Sequence, residues 1–152
     1  MVVHVPSKAI IKGTDLIEPV LRRLDSEGAI HYRRLEGVPA AEMPELYGSA
    51  DIVVDQFRIG SYGVAACEAM AAGRLVVSHV SEQVRAEVSA ATGFTLPVVE
   101  STAAALAETL LGILADPDRH QAVAASGPRF VAEVHDGRLS ARLIDAHFLS
   151  GG

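Results

Sequence analysis

The chain has 152 residues, of which 49% are hydrophobic, and it carries a formal net charge of −6 at pH 7. This length suits one core and excludes a second full domain. The negative charge and an aromatic content of 5% argue against a nucleic-acid partner. No apolar run approaches the roughly 20 residues of a membrane-spanning helix, no long apolar leader opens the chain, and the single cysteine cannot form an internal disulfide. We therefore expect a cytoplasmic protein.

The first half of the chain alternates short apolar runs with helical patterns. Apolar runs flanked by polar or turn residues predict strands, and an apolar spacing of three to four residues predicts helices. In chain order, we expect a strand over 2–5, a helix over 15–27, a strand over 29–35, a helix over 41–49 and a strand over 51–55. In the first helix, Pro19 predicts a late start or a kink, and Gly28 predicts the end. Its expected buried face consists of Leu16, Val20, Leu21 and Leu24.

The second half continues this alternation and then becomes helical. We expect a helix over 63–72, a strand over 75–77, a helix over 81–91, a strand over 95–99, helices from 101 and 117, a turn at 135–137 and a final amphipathic segment over 139–149. Ser81 and Ser101 are expected to cap their helices, and Gly127-Pro128 is expected to interrupt the last long one. The expected buried stripe of the helix after Ser101 consists of Leu106, Leu110, Ile113 and Leu114.

This alternation predicts an α/β fold. We expect a single Rossmann-like, three-layer domain with a mostly parallel sheet of five or six strands and additional C-terminal helices. In such folds, the loops that follow parallel strands face the ligand crevice, and the helices after them present unpaired backbone N–H groups there. The segment 51–78 has this strand-loop-helix-strand arrangement and is the most informative part of the sequence.

The loop before the helix over 63–72 contains residues suited to phosphate. Gly60 and Gly63 let the backbone approach a diphosphate closely, and Ser61 adds a hydroxyl at the helix start. Tyr62 can pack or donate its hydroxyl. The spacing matches neither a dinucleotide fingerprint nor a P-loop, so a purely structural glycine loop is an equally open interpretation.

Glu68 lies five residues after Gly63 on an otherwise apolar helix. Burying a carboxylate without partners costs several kcal/mol. The side chain therefore either meets donors within the protein or protrudes into a wet cleft, where it can accept hydrogen bonds from ligand hydroxyls.

The six histidines show no paired spacing typical of a metal site. We expect no metal and no other cofactor. His79 follows the strand over 75–77 and so lies near the rim of the crevice. A structural histidine and a ligand-facing one both fit that position.

Two stretches resemble a known family. Asp51-Ile-Val-Val, followed by Gly60-Ser-Tyr-Gly-Val-Ala-Ala-Cys-Glu-Ala-Met-Ala-Ala-Gly-Arg-Leu-Val-Val, resembles the donor-site segment of retaining glycosyltransferases with two Rossmann domains. This large family, the glycosyl transferases group 1, includes sucrose synthase and mannosyltransferases. Lys12-Gly13 and Glu45-Leu-Tyr-x-x-Ala-Asp51 resemble further elements of its C-terminal domain. The similarity spans roughly residues 2 to 135.

The resemblance implies roles for individual residues. Glu68 matches the glutamate that holds the ribose hydroxyls of the donor, and Lys12 matches the lysine that neutralises its diphosphate. Gly63 matches the loop glycine beside the phosphates. The donor-binding segment that the resemblance implies consists of Lys12, Gly60, Ser61, Tyr62, Gly63, Val64 and Glu68.

The sequence also departs from the family pattern. That pattern has a second glutamate eight positions before Glu68, where it contacts the transferred sugar, and this chain has Gly60 there. Asp55 or Gln56, at the end of a strand, could supply a substitute contact. The arginine that precedes the Lys-Gly element in the family has no clear counterpart, and Lys8 is the nearest cation.

The resemblance implies that residues 1–152 form the nucleotide-sugar-binding domain of a hexosyltransferase whose N-terminal acceptor domain is absent from this chain. The implied partners are a nucleotide sugar and that second domain. Peripheral membrane association of the parent protein is compatible with this interpretation. The alternative is a non-catalytic nucleotide-binding or interaction module that kept the fold; an epimerase-like half and a flavodoxin-like regulator are further possibilities. The base, the sugar, the acceptor and the oligomeric state do not follow from the sequence.

Overall fold

The computed structural model describes residues 1–145, which form one parallel sheet with helices on both faces. The five strands are β1 (Val2–His4), β2 (Tyr32–Arg34), β3 (Ile52–Val54), β4 (Leu75–Ser78) and β5 (Val98–Glu100). The helices are α1 (Ala9–Lys12), α2 (Thr14–Ser26), α3 (Met43–Ser49), α4 (Val64–Ala71), α5 (Glu82–Thr92), α6 (Leu106–Ala115), α7 (Pro117–Val134) and α8 (Arg138–Ile144). A short 3₁₀ turn at Ala40–Glu42 precedes α3. The predicted Rossmann-like, three-layer α/β domain is confirmed, with five strands.

Each face of the sheet buries its own apolar layer, because successive strand residues point to opposite faces. On one face, Val2, Ile52 and Val54 pack with α2 and α6. On the other face, Val3, Val53 and Val76 pack with α3, α4 and α7. Continuous β-branched runs form these strands because both of their faces are covered.

The strand order β2-β1-β3-β4-β5 reverses direction between β1 and β3. Val2 pairs with Tyr32 on one side and with Ile52 on the other. In open parallel sheets, the crevice outside the carboxyl ends of the strands at such a reversal is where ligands bind. A ligand site is therefore expected at the loops after β1 and β3.

The predicted interruption at Gly127-Pro128 is wrong, because α7 continues through both residues. Gly127 is buried against α4, and a Cβ there would lie 2.6 Å from the carbonyl oxygen of Met70. The missing N–H of Pro128 removes one helical hydrogen bond. Packing against α4, with Phe130 in the core, keeps the helix continuous.

Three further expectations about helices are corrected. Ser101 does not cap α6, because its hydroxyl pairs with Thr109 Oγ1 at 2.9 Å and a turn over 102–105 precedes the helix. Helix α2 starts at Thr14 with Pro19 inside it and buries Ile17, so the late start is wrong and Leu16 is exposed. Leu114 is also exposed and does not belong to the buried stripe of α6.

The C-terminal end agrees with the expected elements as far as the structure describes it. The turn at 135–137 precedes α8, which begins the expected segment 139–149. Positions 146–149 of that segment lie outside the described residues. Within 1–145, no helix is both long and apolar enough to cross a membrane.

Candidate functional site

A cleft of about 870 Å³ opens at the carboxyl ends of β1 and β3, where the strand order reverses. It is bounded by the loop after β1, by α1, by the loop after β2, by α3 and by the first half of α4. The residues that line it are Val5, Pro6, Ser7, Ala9, Lys12, Glu36, Gly37, Val38, Met43, Tyr47, Val64, Ala65 and Glu68. Of the residues singled out in the sequence, the cleft brings together Lys12, Val64 and Glu68.

Glu68 protrudes into this cleft and is exposed. Helix α4 buries Ala66, Ala69 and Met70 against the sheet, which turns the carboxylate outward. Within residues 1–145, that carboxylate makes no hydrogen bond or ion pair. The sequence left two alternatives for Glu68, a side chain bonded within the protein or one that protrudes into a cleft. The structure has the second.

Lys12 lines the cleft with its ammonium group paired to the carboxylate of Asp55. The two side chains are only 13% and 3% exposed, so the pair is largely withdrawn from water. A backbone hydrogen bond from Phe57 N to Lys12 O, 3.0 Å long, also joins the end of α1 to the loop after β3. The second carboxylate oxygen, Asp55 Oδ2, is buried and has no hydrogen-bond partner among the described residues.

The N-terminus of α4 opens into the cleft through Val64 and Ala65. Gly63 precedes the helix in an extended conformation, and a Cβ there would meet no atom within 4 Å. The first N–H groups of a helix lack partners within it, and the helix dipole adds positive potential at this end. This end of α4 is therefore accessible and electrostatically suited to an anion.

Residues 6–116 match the family described as "Glycosyl transferases group 1". The chain belongs to this family. No curated protein sequence gives a significant match.

The fold of this glycosyltransferase domain is similar to two solved structures. HepE from Anabaena, in complex with UDP and glucose, is 12% identical with a TM-score of 0.60, over 95% of this chain and 47% of HepE. WaaG, a glycosyltransferase involved in lipopolysaccharide biosynthesis, is 18% identical with a TM-score of 0.50, over 99% of this chain and 47% of WaaG. The chain thus spans about half the length of both.

The loop between β3 and α4 of the glycosyltransferase domain is fixed to the segment after β4. Gly60 has a φ of +64°, a region that favours glycine. Its carbonyl oxygen accepts a hydrogen bond from Ser81 N at 2.8 Å, and that of Gln56 accepts one from His79 N at 2.7 Å. The buried Gln56 side chain accepts from Arg58 N at 2.9 Å, so its amide oxygen serves the loop itself.

The other predicted residues lie around the cleft of the glycosyltransferase domain. Tyr62 and Gly63 line an adjacent groove of about 610 Å³ between α4 and α7, which shares Val64 and Glu68 with the cleft. The Tyr62 hydroxyl is 3.1 Å from His135 Nε2, and burial raises the pKa of Tyr62. Five of the predicted residues line neither cavity, namely Lys8, Asp55, Gln56, Gly60 and Ser61.

The wall of the cleft opposite α4 consists of residues that the sequence did not predict as functional, among them Tyr47 and the loop 36–38. Tyr47 is buried there, and its hydroxyl has no hydrogen-bond partner within 1–145. Burial raises the pKa of Tyr47, with a smaller contribution from the charges of Glu68 and Asp55. The loop 36–38 completes this wall because β2 lies beside β1. The strand order is needed to see that the loop 36–38 lies beside the loop after β1. Tyr47 itself belongs to the Glu45-Leu-Tyr stretch that resembles the family.

No group of three or more His, Cys, Asp or Glu side chains within the described residues is placed to hold a metal ion. Cys67 is half-buried against the core, and burial raises the pKa of its thiol. A thiol with a raised pKa is a poor nucleophile. The polar side chains that line the cleft are those of Ser7, Lys12, Glu36, Tyr47 and Glu68.

Proposed function

We propose that this chain is the donor-binding domain of a glycosyltransferase and that the cleft binds a nucleotide sugar. The observation that carries the proposal is Glu68, a carboxylate without a protein partner within residues 1–145, exposed in the cleft that Lys12 also lines. A carboxylate accepts hydrogen bonds only, and the two vicinal hydroxyls of a ribose supply two donors.

The helix geometry supports a defined direction for the ligand. Glu68 is five residues beyond Gly63, which corresponds to about 7.5 Å along the helix axis. A ribose at Glu68 therefore leaves its diphosphate at the N-terminus of α4. There, the helix N–H groups and the Lys12 ammonium can stabilise its charge.

The same groups suit the chemistry of glycosyl transfer. When the bond between the sugar and the diphosphate breaks, negative charge builds up on the departing phosphate. Helix N–H groups and a lysine, already in place, stabilise that charge without a metal ion. The presence of UDP and glucose in the HepE structure supports a donor of this class.

A second domain belongs to this proposal. The chain covers 47% of each structural neighbour, and a crevice closed by two domains excludes water and aligns the reactants. We therefore expect this chain to bind a nucleotide sugar by itself but to transfer sugar only slowly. An N-terminal acceptor-binding domain would complete the site.

Calorimetric titration with UDP, GDP and ADP and with their glucose or mannose conjugates tests the proposal. We expect Glu68→Ala to weaken nucleoside-diphosphate binding by roughly 1 to 3 kcal/mol, the cost of losing a charged hydrogen-bond acceptor. Glu108→Ala is the matched control, because Glu108 is exposed on α6 and lines neither cavity beside α4. Equal binding by Glu68→Ala and the parent chain would contradict the ribose assignment.

One observation favours a second candidate, a non-catalytic module of the same fold. The loop that leads to α4 has Gly60 in a left-handed conformation and offers no side chain there. Such a module would keep the fold and the cleft without transferring sugar. If none of the nucleotides binds the parent chain, the interaction module becomes the better description.

A further inference from the structure

A histidine-carboxylate pair lies beside the loop between β3 and α4. His79 Nδ1 is 2.7 Å from Glu100 Oε1. Because an ionised carboxylate can only accept, the hydrogen between them belongs to Nδ1. Glu100 is itself fixed, since its other oxygen accepts from Val80 N at 2.7 Å and from Arg85 Nη2 at 3.2 Å. The orientation of the imidazole is therefore set by the end of β5.

The opposite ring nitrogen, Nε2, faces Gly60. A Cβ built on Gly60 would lie 3.6 Å from His79 Nε2 and 3.5 Å from Ser81 Cβ. The imidazole thus lies in the direction that a side chain at position 60 would take. Within residues 1–145, Nε2 makes no hydrogen bond, and the side chain is 32% exposed, so a ligand can reach it.

The proposed orientation of the nucleotide sugar also places its sugar group near His79. If the ribose lies at Glu68 and the diphosphate at the N-terminus of α4, whatever follows the diphosphate continues beyond that N-terminus. The chain there is the loop 56–61, which is hydrogen-bonded to the segment 79–81. This step rests on the proposed function.

We propose that His79, oriented by Glu100, forms a hydrogen bond with a hydroxyl of the donor's sugar group. A sugar hydroxyl both donates and accepts. It can donate to Nε2 of a neutral imidazole or accept from Nε2–H of a charged one. His79 is therefore a specificity-determining residue for the sugar, and it makes no contact with the nucleoside or the diphosphate.

Comparing two ligands on one variant tests this assignment. The probes are UDP with UDP-glucose and GDP with GDP-mannose, and the pair that binds the parent chain more tightly is used. We expect His79→Ala to bind the nucleoside diphosphate within about twofold of the parent chain and the nucleotide sugar roughly fivefold to tenfold more weakly. Unchanged diphosphate binding also reports that the variant is folded.

Conservative variants distinguish a sugar contact from a structural role. His79→Gln should recover part of the lost affinity, because its amide can still hydrogen-bond a hydroxyl. Glu100→Gln should give an intermediate loss for the nucleotide sugar, because one of the two oxygens that accept from His79 Nδ1 and from Val80 N becomes a donor and the imidazole is held less firmly. His31→Ala should behave like the parent chain, since His31 lines a cavity beside the amino ends of β1, β3 and β4.

The outcomes separate this inference from the proposed function. If the parent chain binds nucleoside diphosphates and His79→Ala binds both ligands like the parent, the sugar contact is wrong while the proposed function stands. An equal loss for both ligands also overturns the sugar contact, because it indicates a general effect on the site. If the parent chain binds no nucleotide, the proposed function fails and this inference fails with it.

Discussion

The ion pair between Lys12 and Asp55 affects how strongly the cleft attracts an anion. Both side chains are largely buried, and the ammonium group is shared between the cleft and the carboxylate. In the proposed complex, a diphosphate competes with Asp55 for that ammonium group. Asp55 thus keeps Lys12 at the cleft and at the same time offsets the charge that would attract the ligand.

This competition gives a prediction with a definite sign. Asp55→Asn should bind nucleoside diphosphates roughly fivefold more tightly, about 1 kcal/mol, and with a steeper salt dependence, because the charge of Lys12 is no longer offset. Lys12→Met should bind more weakly and lose most of the salt dependence. Calorimetry at low and moderate ionic strength measures both effects.

The exposed pair of Asp15 and Arg58 is the control for this experiment. It joins α2 to the same β3 loop but lies outside the cleft. Asp15→Asn should therefore leave affinity and salt dependence unchanged. Weaker binding by Asp55→Asn would mean that Asp55 contributes to the site mainly by positioning Lys12.

Single residues differed in how much the sequence could say about them. Glu68 was visible as a carboxylate on an apolar helix, and its exposure follows from the face that α4 buries. The pairing of Lys12 with Asp55 was not visible, because the two residues are 43 positions apart and meet only since β1 and β3 are neighbours. The approach of His79 to Gly60 was not visible either, because the loops that carry these residues meet only since β3 and β4 are neighbours.

At the scale of elements, the packing of α7 against α4 positions the candidate site. Gly127 brings the two helices together, because a Cβ there would overlap the Met70 backbone. Helices α4 and α7 thus lie against each other, and both pack on the same face of the sheet. This contact lies near the C-terminal end of α4 and leaves Glu68 and the N-terminus of the helix open to the cleft.

Two glycine-to-alanine substitutions test this arrangement. Gly127→Ala should lower the free energy of unfolding by about 1 to 3 kcal/mol, because α7 must move away from α4. Gly112→Ala on α6 should raise it by up to about 1 kcal/mol, because a Cβ there meets no atom within 4 Å and alanine favours the helix. Urea unfolding measures both. A stabilising Gly127→Ala would show that the helices can separate at no cost.

The elements themselves were largely predictable, and the exceptions have local causes. Hydrophobic periodicity predicted all five strands and most of the helices, and Ser81 caps α5 as expected. Gly127-Pro128 was misread because local propensity favours a break, whereas tertiary packing keeps α7 helical. Ser101 was misread because its hydroxyl finds a partner in Thr109.

At the scale of the whole molecule, one buried histidine ties three elements together. His4 on β1 donates through Nδ1 to Val54 O on β3 at 2.7 Å, and its Nε2 is 2.8 Å from Thr14 Oγ1 at the start of α2. Burial is the main cause that lowers the pKa of His4 below its ordinary value of 6.5. The folded state therefore contains a neutral imidazole under conditions in which the unfolded chain takes up a proton.

The stability of the domain should consequently fall on acidification. Below about pH 6.5 the unfolded state binds more protons than the folded state, so the free energy of unfolding decreases by up to about 1.4 kcal/mol per pH unit until His4 itself is protonated. Urea unfolding between pH 7.5 and 5.5 measures this slope. His4→Asn, whose amide can still donate to Val54 O, should show a shallower slope than the parent chain.

His31→Asn controls for the loss of a histidine from an exposed position. It should keep the slope of the parent chain. Identical slopes for the parent chain and His4→Asn would mean that other groups dominate the acid sensitivity of the fold.

The left-handed backbone at Gly60 makes this position costly for any residue with a side chain. A larger L-residue with a φ of +64° costs roughly 1 to 2 kcal/mol, and its side chain would start against His79 and Ser81. These distances of 3.5 to 3.6 Å are ordinary contacts, so the main obstacle to engineering a carboxylate at position 60 is the backbone conformation.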